Sequence, residues 1–317
     1  IPQETPAMAV NRLCGSGLQA IVSAAQTIQL GDAEVAVAGG AESMSRSPHH
    51  IAAARFGQKM GDATAVDYML GVLSDPFGAG HMGITAENVA DRYGISREAQ
   101  DALAAESQAR AKAAIEAGRF RDQILPVEVR IRRDTVAFDT DEHPKATTEA
   151  DLAKLRPAFR KDGSVTAGNA SGLNDGAAAL VLMSASRAEA EGRTPLARIV
   201  GYAHAGVAPD EMGMGPVPAV QNLMRRTGLR ASDFDVIESN EAFAAQACAV
   251  SRALDLDPAR VNPNGGAIAL GHPIGATGAI ITVKALYELA RVGGRFGLAT
   301  MCIGGGQGIA LAIERVR

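Results

Sequence analysis

Tryptophan is absent from the 317-residue sequence, and aromatic residues make up only 4% of it. A core without large rings must be packed from Ala, Val, Ile, Leu and Met. Cysteine is scarce: an odd count of 3 in a long chain argues against a disulfide framework and for a reducing compartment. No apolar run reaches the ~20 residues that a membrane-spanning helix needs. Excess positive charge is also lacking. The 31 Lys and Arg against 35 Asp and Glu leave a net charge of −4, so there is no basic field for dedicated nucleic-acid binding. No Cys-x-x-Cys or His-x-x-x-His pair is available as a zinc ligand set, which disfavours a metal site. The chain opens on Ile1-Pro2 rather than methionine and reads as a fragment or processed product, with any targeting signal upstream.

Glycine, at 35 residues, is over-used within an otherwise globular mixture of 47% hydrophobic and 21% charged residues. The length suits about two domains. Short apolar strands alternate with amphipathic helices, the pattern of an α/β protein. Val10 to Leu13 reads as the end of a strand. Gly17 to Leu30 follows as a helix with Leu18, Ile21, Val22, Ala25 and Ile28 on one face and Gly31 at its stop. Val35 to Ala38 reads as a buried strand. From Ser43 to Gly172 the alternation breaks down into a long loop (His49 to Gly80), a helix over Gly83 to Tyr93, and a helix capped by Ser96 that ends at Ala117-Gly118. The strand Val127 to Ile131 comes next. A loop that long inside a compact chain is usually functional. Strands are then expected at 178–183, 199–201, 236–239, 296–301 and 309–314, and helices at 217–227, 244–254 and 278–291. Val10-Asn11 with its turn, helix and strand is loosely echoed by Val261-Asn262 with a Gly-rich turn, a helix and a strand of its own. Two similar halves would explain the echo; so would chance likeness between α/β units.

Three short stretches carry reactive side chains. Asn11-Arg12-Leu13-Cys14-Gly15-Ser16-Gly17 puts a thiol at a strand-to-helix turn, where free N–H groups and the helix dipole lower a thiol pKa and favour the nucleophilic thiolate. A lone cysteine is otherwise a small buried hydrophobe; the flanking glycines favour function. The same residues fit the dinucleotide pattern G-x-G-x-x-G/A, but Asp32 and Glu34 precede the next strand instead of ending it, so nicotinamide binding is disfavoured. His272, between Gly271 and Pro273 in a Gly-rich loop, is a general-base candidate. Cys302 ends a buried strand before Gly304-Gly305-Gly306, where a thiol and bare backbone donors stand at the strand's C-terminal edge. Cys248, in an Ala-rich helix, reads as packing. Asn240, after an apolar strand, reads locally as a helix N-cap.

Together these stretches resemble the thiolase family over essentially the whole chain. Cys-Gly-Ser-Gly at 14–17, His-Met-Gly at 81–83, Ala-Gly-Asn-Ala-Ser-Gly at 167–172, Asn-Glu-Ala-Phe at 240–243, Gly-His-Pro-Ile-Gly at 271–275 and Cys-Ile-Gly-Gly-Gly at 302–306 stand in family order. Within the family the chain is most similar to bacterial β-ketothiolases and acetyl-CoA acetyltransferases, in which about seventy-five further residues precede the segment matching Ile1. The fold implied is α/β, with duplicated βαβαβ halves in a layered α/β/α/β/α arrangement. Residues 1–43 and 174–195 would form a truncated N-terminal half and 196–317 the C-terminal half. An inserted loop domain, 44–173, would cover the site and bind coenzyme A.

The activity implied by the resemblance is reversible Claisen condensation and thiolysis of 3-ketoacyl-CoA through a Cys14 acyl-enzyme. His272 would accept the Cys14 proton, and Cys302 would act as the second acid–base group. The N–H groups of Cys14 and Gly304 would hold one oxyanion; His272 and a water on Asn240 would hold the enolate oxygen. The resemblance places coenzyme A against Leu73, His81, Met82, Phe159, Ala167, Ala170, Ser171, Met212, Ala242 and Phe243. Lys145 matches a family arginine in a stretch one residue short. An Arg-to-Lys exchange loses bidentate phosphate geometry. Coenzyme A is then substrate and product, and no resident cofactor is implied. Further expectations are a homotetramer or homodimer, with the loop from His49 to Val66 in contacts between copies, and a cytoplasmic location. Two other readings remain open on the sequence alone: a decarboxylating ketoacyl synthase-like enzyme, against which Cys302 speaks, and a non-catalytic acyl-CoA-binding protein.

Overall fold

The computed structural model describes residues 1–316. In chain order the first elements are α1 (Ser16–Leu30), β1 (Val35–Ser43), β2 (His49–His50), β3 (Val66–Asp67), α2 (Tyr68–Val72), α3 (Met82–Tyr93), α4 (Arg97–Glu116), β4 (Val127–Ile131), β5 (Asp134–Phe138) and α5 (Glu149–Leu152). After these come β6 (Asp175–Met183), α6 (Ala185–Ala190), β7 (Ala197–Gly206), α7 (Pro216–Thr227), β8 (Phe234–Ser239), α8 (Ala244–Ala253), α9 (Ala267–Leu270), α10 (Thr277–Val292), β9 (Phe296–Ile303) and β10 (Gln307–Arg315).

A four-stranded sheet in the order β7-β10-β9-β8 forms the centre, with β8 and β9 parallel and the other pairs antiparallel. Successive side chains of a strand point to opposite faces, and here both faces are apolar. Leu298, Cys302, Ala310 and Ala312 join the core that holds α3, α7 and α8. Ala299, Met301, Ile303, Ile309, Leu311 and Ile313 join a second core with Leu18, Ile21, Val22, Ile281 and Leu289 from α1 and α10. This is why β9 and β10 read as unbroken apolar runs. The second sheet is the antiparallel pair β1–β6, and α1 and α10 lie between the two sheets, touching strands of both. The layered α/β arrangement expected from the sequence is present.

Helices α1, α3 and α10 each stop at a glycine with positive φ: Gly31, Gly94 and Gly293. Ser96 caps α4 by accepting from the Ala99 N–H. Where expectation and structure part, the cause is pairing between distant segments. Val10 to Leu13 is not a strand, because among the described residues no strand lies alongside to complete its hydrogen bonds; only a bridge between Arg12 and Cys14 forms. The stretch 49–80 is not all loop: β2 pairs with β3, and α2 comes directly after. β4 has a partner, β5, across a turn at Arg132 (φ 58°). β6 and β7 run longer than expected, and the short α5 and α6 went unforeseen.

Candidate active site

Cys14 sits in a turn built by its neighbours. Leu13 takes the left-handed conformation (φ 48°), the Gly15 N–H donates to Arg12 O at 3.0 Å, and the Ser16 hydroxyl donates to Leu13 O at 2.7 Å. A side chain on Gly15 would force Ile303 to shift. The Cys14 residue is partly accessible, but its sulfur is enclosed, packed with Met44, Met69 and Ile274. The N–H groups of Gly304 and of Cys14 itself lie near the sulfur and favour the thiolate. Burial outweighs them, Glu42 adds its charge in the same direction as burial, and the pKa is pushed up to about 11. The sequence-based expectation of a lowered pKa is thus corrected: the donors are there, and desolvation wins.

His272 follows Gly271, whose φ of 98° and close approach to Asn174 exclude a side chain. The His272 N–H donates to Asn174 Oδ1 at 3.1 Å. The Thr277 hydroxyl spends its only proton on Pro273 O at 2.9 Å, so its contact of 2.6 Å with His272 Nδ1 has the ring donating. That fixes the tautomer and leaves the lone pair on Nε2. Asn240 Nδ2 approaches this nitrogen at 3.5 Å. Burial lowers the imidazole pKa to about 4, so the ring is neutral at rest.

Asn240 is not the helix cap read from the sequence; Phe243 occupies the N-cap of α8. Asn240 is buried in the preceding turn, its N–H donating to Thr300 O at 3.0 Å and its carbonyl accepting from Gln246 Nε2 at 3.2 Å. Its Oδ1 is buried with no protein partner. Cys302, near the end of β9, is buried, and its thiol is pushed above the usual range by burial and then by Cys14. Gly304 opens the three-residue turn between β9 and β10, facing Leu13 and Met82.

Several residues expected to hold coenzyme A are contiguous with this pocket. Leu73 packs in the cluster that includes Cys14, and its carbonyl accepts from Met82 N at 2.8 Å. His81 caps α3 through Nδ1 and stacks on Phe159 at 4.9 Å between centroids, and Phe159 meets Phe243 edge-on at 6.1 Å. Ala170 bridges to Phe243, and Ser171 donates to Ala242 O at 3.0 Å. Met212 is buried in the same core as Met82 and Phe243. Ala167 and Lys145 are exposed, and Lys145 forms no ion pair among the described residues. Residues not singled out from the sequence also shape the pocket: Thr277 and Asn174 around His272, Glu42 accepting from Gly275 N at 3.0 Å, and Arg12, whose guanidinium bridges Gln19, His204 and Gln307. Thr277, five residues beyond His272, was within reach of local reasoning; Asn174 was not. Among the described residues no group of three or more His, Cys, Asp and Glu is placed to hold a metal ion, and no helix is long and apolar enough to cross a membrane.

The fold and the convergent pocket meet a matching family. Residues 1–186 match the model of the thiolase N-terminal domain and residues 193–315 that of the thiolase C-terminal domain. The chain belongs to the thiolase family. It is 66% identical over 313 residues to the beta-ketothiolase BktB of Cupriavidus necator, covering 98% of this chain and 79% of that protein. To an acetyl-CoA acetyltransferase of Pseudomonas aeruginosa it is 58% identical over 318 residues, covering 99% and 81%. The crystal structure of human mitochondrial 3-ketoacyl-CoA thiolase in complex with CoA superposes with a TM-score of 0.96 at 49% identity, covering all of this chain and 80% of that one.

Proposed function

We propose that the chain is a β-ketothiolase, an acyl-CoA:acetyl-CoA C-acyltransferase acting through an acyl group on Cys14. In thiolysis the Cys14 thiol gives its proton to Nε2 of neutral His272 as the sulfur attacks the 3-keto carbon. The resulting oxyanion is received by the N–H groups of Cys14 and Gly304, each donor of this kind being worth ~2.7–4 kcal/mol of barrier. The C2–C3 bond then breaks, its electron pair leaving as the enolate of acetyl-CoA. Cys302 protonates C2, while His272 and a water on Asn240 hold the enolate oxygen. Free coenzyme A gives its thiol proton to the Cys302 thiolate and attacks the thioester on Cys14; as acyl-CoA leaves, His272 returns its proton to the Cys14 sulfur, which restores all three groups. Condensation is the reverse. The high thiol and low imidazole pKa mean that no thiolate–imidazolium pair stands ready; the proton moves only as the carbon takes up the sulfur's electrons.

The observation that carries this reading is the convergence of distant segments: Gly304 faces Leu13, the neighbour of Cys14, Gly15 faces Ile303, the neighbour of Cys302, Cys14 packs with Ile274 two residues beyond His272, and Asn240 Nδ2 stands 3.5 Å from His272 Nε2. The stacked His81 and Phe159, with Leu73, Met82, Ala170, Ser171, Met212, Ala242 and Phe243, supply an apolar lining for an uncharged pantetheine arm. Ala167 and Lys145, both exposed, would lie towards its outer end. Residues 44–173 serve as the covering segment between the two halves (1–43 with 174–195, and 196–317), and the loop from His49 to Val66 as a contact between copies of the chain.

The test is thiolysis of 3-ketoacyl-CoAs of graded length, with labelling by iodoacetamide. Acetyl-CoA is expected to protect Cys14 from the label, and Cys14→Ser to abolish turnover. Cys302→Ser is expected to form the acyl-enzyme yet fail at carbon–carbon exchange. Full thiolysis by Cys14→Ser would remove the proposal.

A further inference from the structure

Glu241 has no step in the reaction above, yet the residue is only 4% exposed and its carboxylate forms no ion pair among the described residues. Burying a carboxylate is costly unless donors surround it, and here they come from three separate segments. Oε1 accepts from Asn262 Nδ2 at 2.8 Å, and Oε2 accepts from the Ser107 hydroxyl of α4 at 2.7 Å and from Ile268 N at 3.3 Å. The carboxylate lies flat on Gly266, where a side chain would overlap it. Ser107 Oγ in turn accepts from Gly266 N at 3.0 Å. Asn262 (φ 44°) completes the clamp: its Nδ2 also donates to Ser239 O at 2.8 Å, and its Oδ1 accepts from Ser239 N at 2.9 Å. A single side chain thus ties the turn holding Asn240 to the segment leading into His272 and to the covering helix α4.

We propose that Glu241 is a positioning residue that sets Asn240 against the imidazole of His272, so that the two share one substrate oxygen. The inference rests on the roles given to Asn240 and His272 above. The two residues depend on it unequally. Both are held through the backbone, His272 by Asn174 on its N–H and Asn240 by Thr300 and Gln246 on its N–H and carbonyl, but only the His272 side chain is anchored as well, by Thr277 on Nδ1. The Asn240 amide has only the 3.5 Å contact with His272, and its Oδ1 is unpartnered. Loosening the turn therefore displaces Asn240 and leaves His272 in place. Acylation of Cys14, which needs His272, survives; the carbon–carbon step suffers.

Glu241→Gln, Ser107→Ala, Asn240→Ala and the double variant Asn240→Ala/Glu241→Gln are compared in the full chain. Acylation is read as the stoichiometric release of coenzyme A from acetyl-CoA, and the carbon–carbon step as condensation kcat. Glu241→Gln is expected to keep the rate and amplitude of acylation while kcat falls about 10²-fold, the scale of a roughly 1 Å misplacement. Ser107→Ala moves kcat in the same direction by less. The double variant is expected to be no worse than Asn240→Ala, since one residue acts through the other. Equal loss of both steps, or undiminished loss in the Asn240→Ala background, overturns the proposal. If Glu241→Gln does not fold, Ser107→Ala decides alone, and wild-type behaviour in both steps refutes it. A wild-type chain that releases no coenzyme A from acetyl-CoA defeats the functional reading itself, a different outcome from any of these.

Discussion

The thiol of Cys14 stands just before the first turn of a 15-residue helix and receives two N–H groups, yet it holds its proton more tightly than a free cysteine. A helix terminus offers fractional charges; enclosure by Met44, Met69 and Ile274 removes solvation of a whole one. With the pKa near 11, the thiolate fraction of the free chain grows with pH throughout the working range. Iodoacetamide labelling of the Cys14 peptide is therefore expected to accelerate about tenfold per unit between roughly pH 7 and 10. A plateau below pH 8 would reveal a standing thiolate–imidazolium pair and contradict this account. The sequence made Cys14, His272 and Cys302 legible because glycines bare them at element ends. It could not weigh desolvation, which depends on methionines and an isoleucine dozens to hundreds of residues away. Asn240 shows the same limit: cap and buried turn look alike until the N-cap of α8 is known, three residues further on.

Helices α1 and α10 begin beside the two turns that carry Cys14 and His272, and they cross at their first residues. A side-chain carbon on Gly17 would lie 2.8 Å from Ala279 N, and one on Gly278 would overlap the backbone of Leu18. The closeness of the two turns is thus set by a contact of backbone on backbone, which leaves no side chain to yield. Gly278→Ala is expected to cost about 1–3 kcal/mol by overpacking and to lower thiolysis by spreading the turns. Urea unfolding reads the first effect and kcat the second. Gly71→Ala, in α2 with nothing near its Cβ position, provides a comparison and is expected to be neutral or slightly stabilising. A stable, fully active Gly278→Ala chain would show that the crossing does not set the site. The helices were read well from the sequence, since Gly31, Gly94 and Gly293 mark their ends and their apolar faces repeat at helical spacing. Strands fared worse wherever the partner decides. β5 is exposed along its length and exists because β4 runs beside it, whereas Val10 to Leu13 finds no strand partner among the described residues.

At the scale of the molecule, apolar surface is unevenly covered. The central sheet is buried on both faces, while the segment between β2 and β3 projects a tip with Phe56 at 91% and Met60 at 92% exposure. The neck of this excursion is fixed by the pairing of His49 with Asp67 and His50 with Val66, so the tip is held away from the chain's own core. Two large apolar side chains so placed gain nothing within one chain; against a second copy each square ångström they bury is worth about 25 cal/mol. The charges between β2 and β3 are Arg55, Lys59 and Asp62. A contact between two such tips is expected to rest mainly on burial of Phe56 and Met60 and to persist in high salt. Replacing Phe56 and Met60 together by Ser is expected to lower the mass seen by light scattering while leaving thiolysis per chain unchanged, because neither residue belongs to the pocket around Cys14. If the mass stays constant, the tip makes no contact between copies. If mass and activity fall together, the pocket depends on the assembled state.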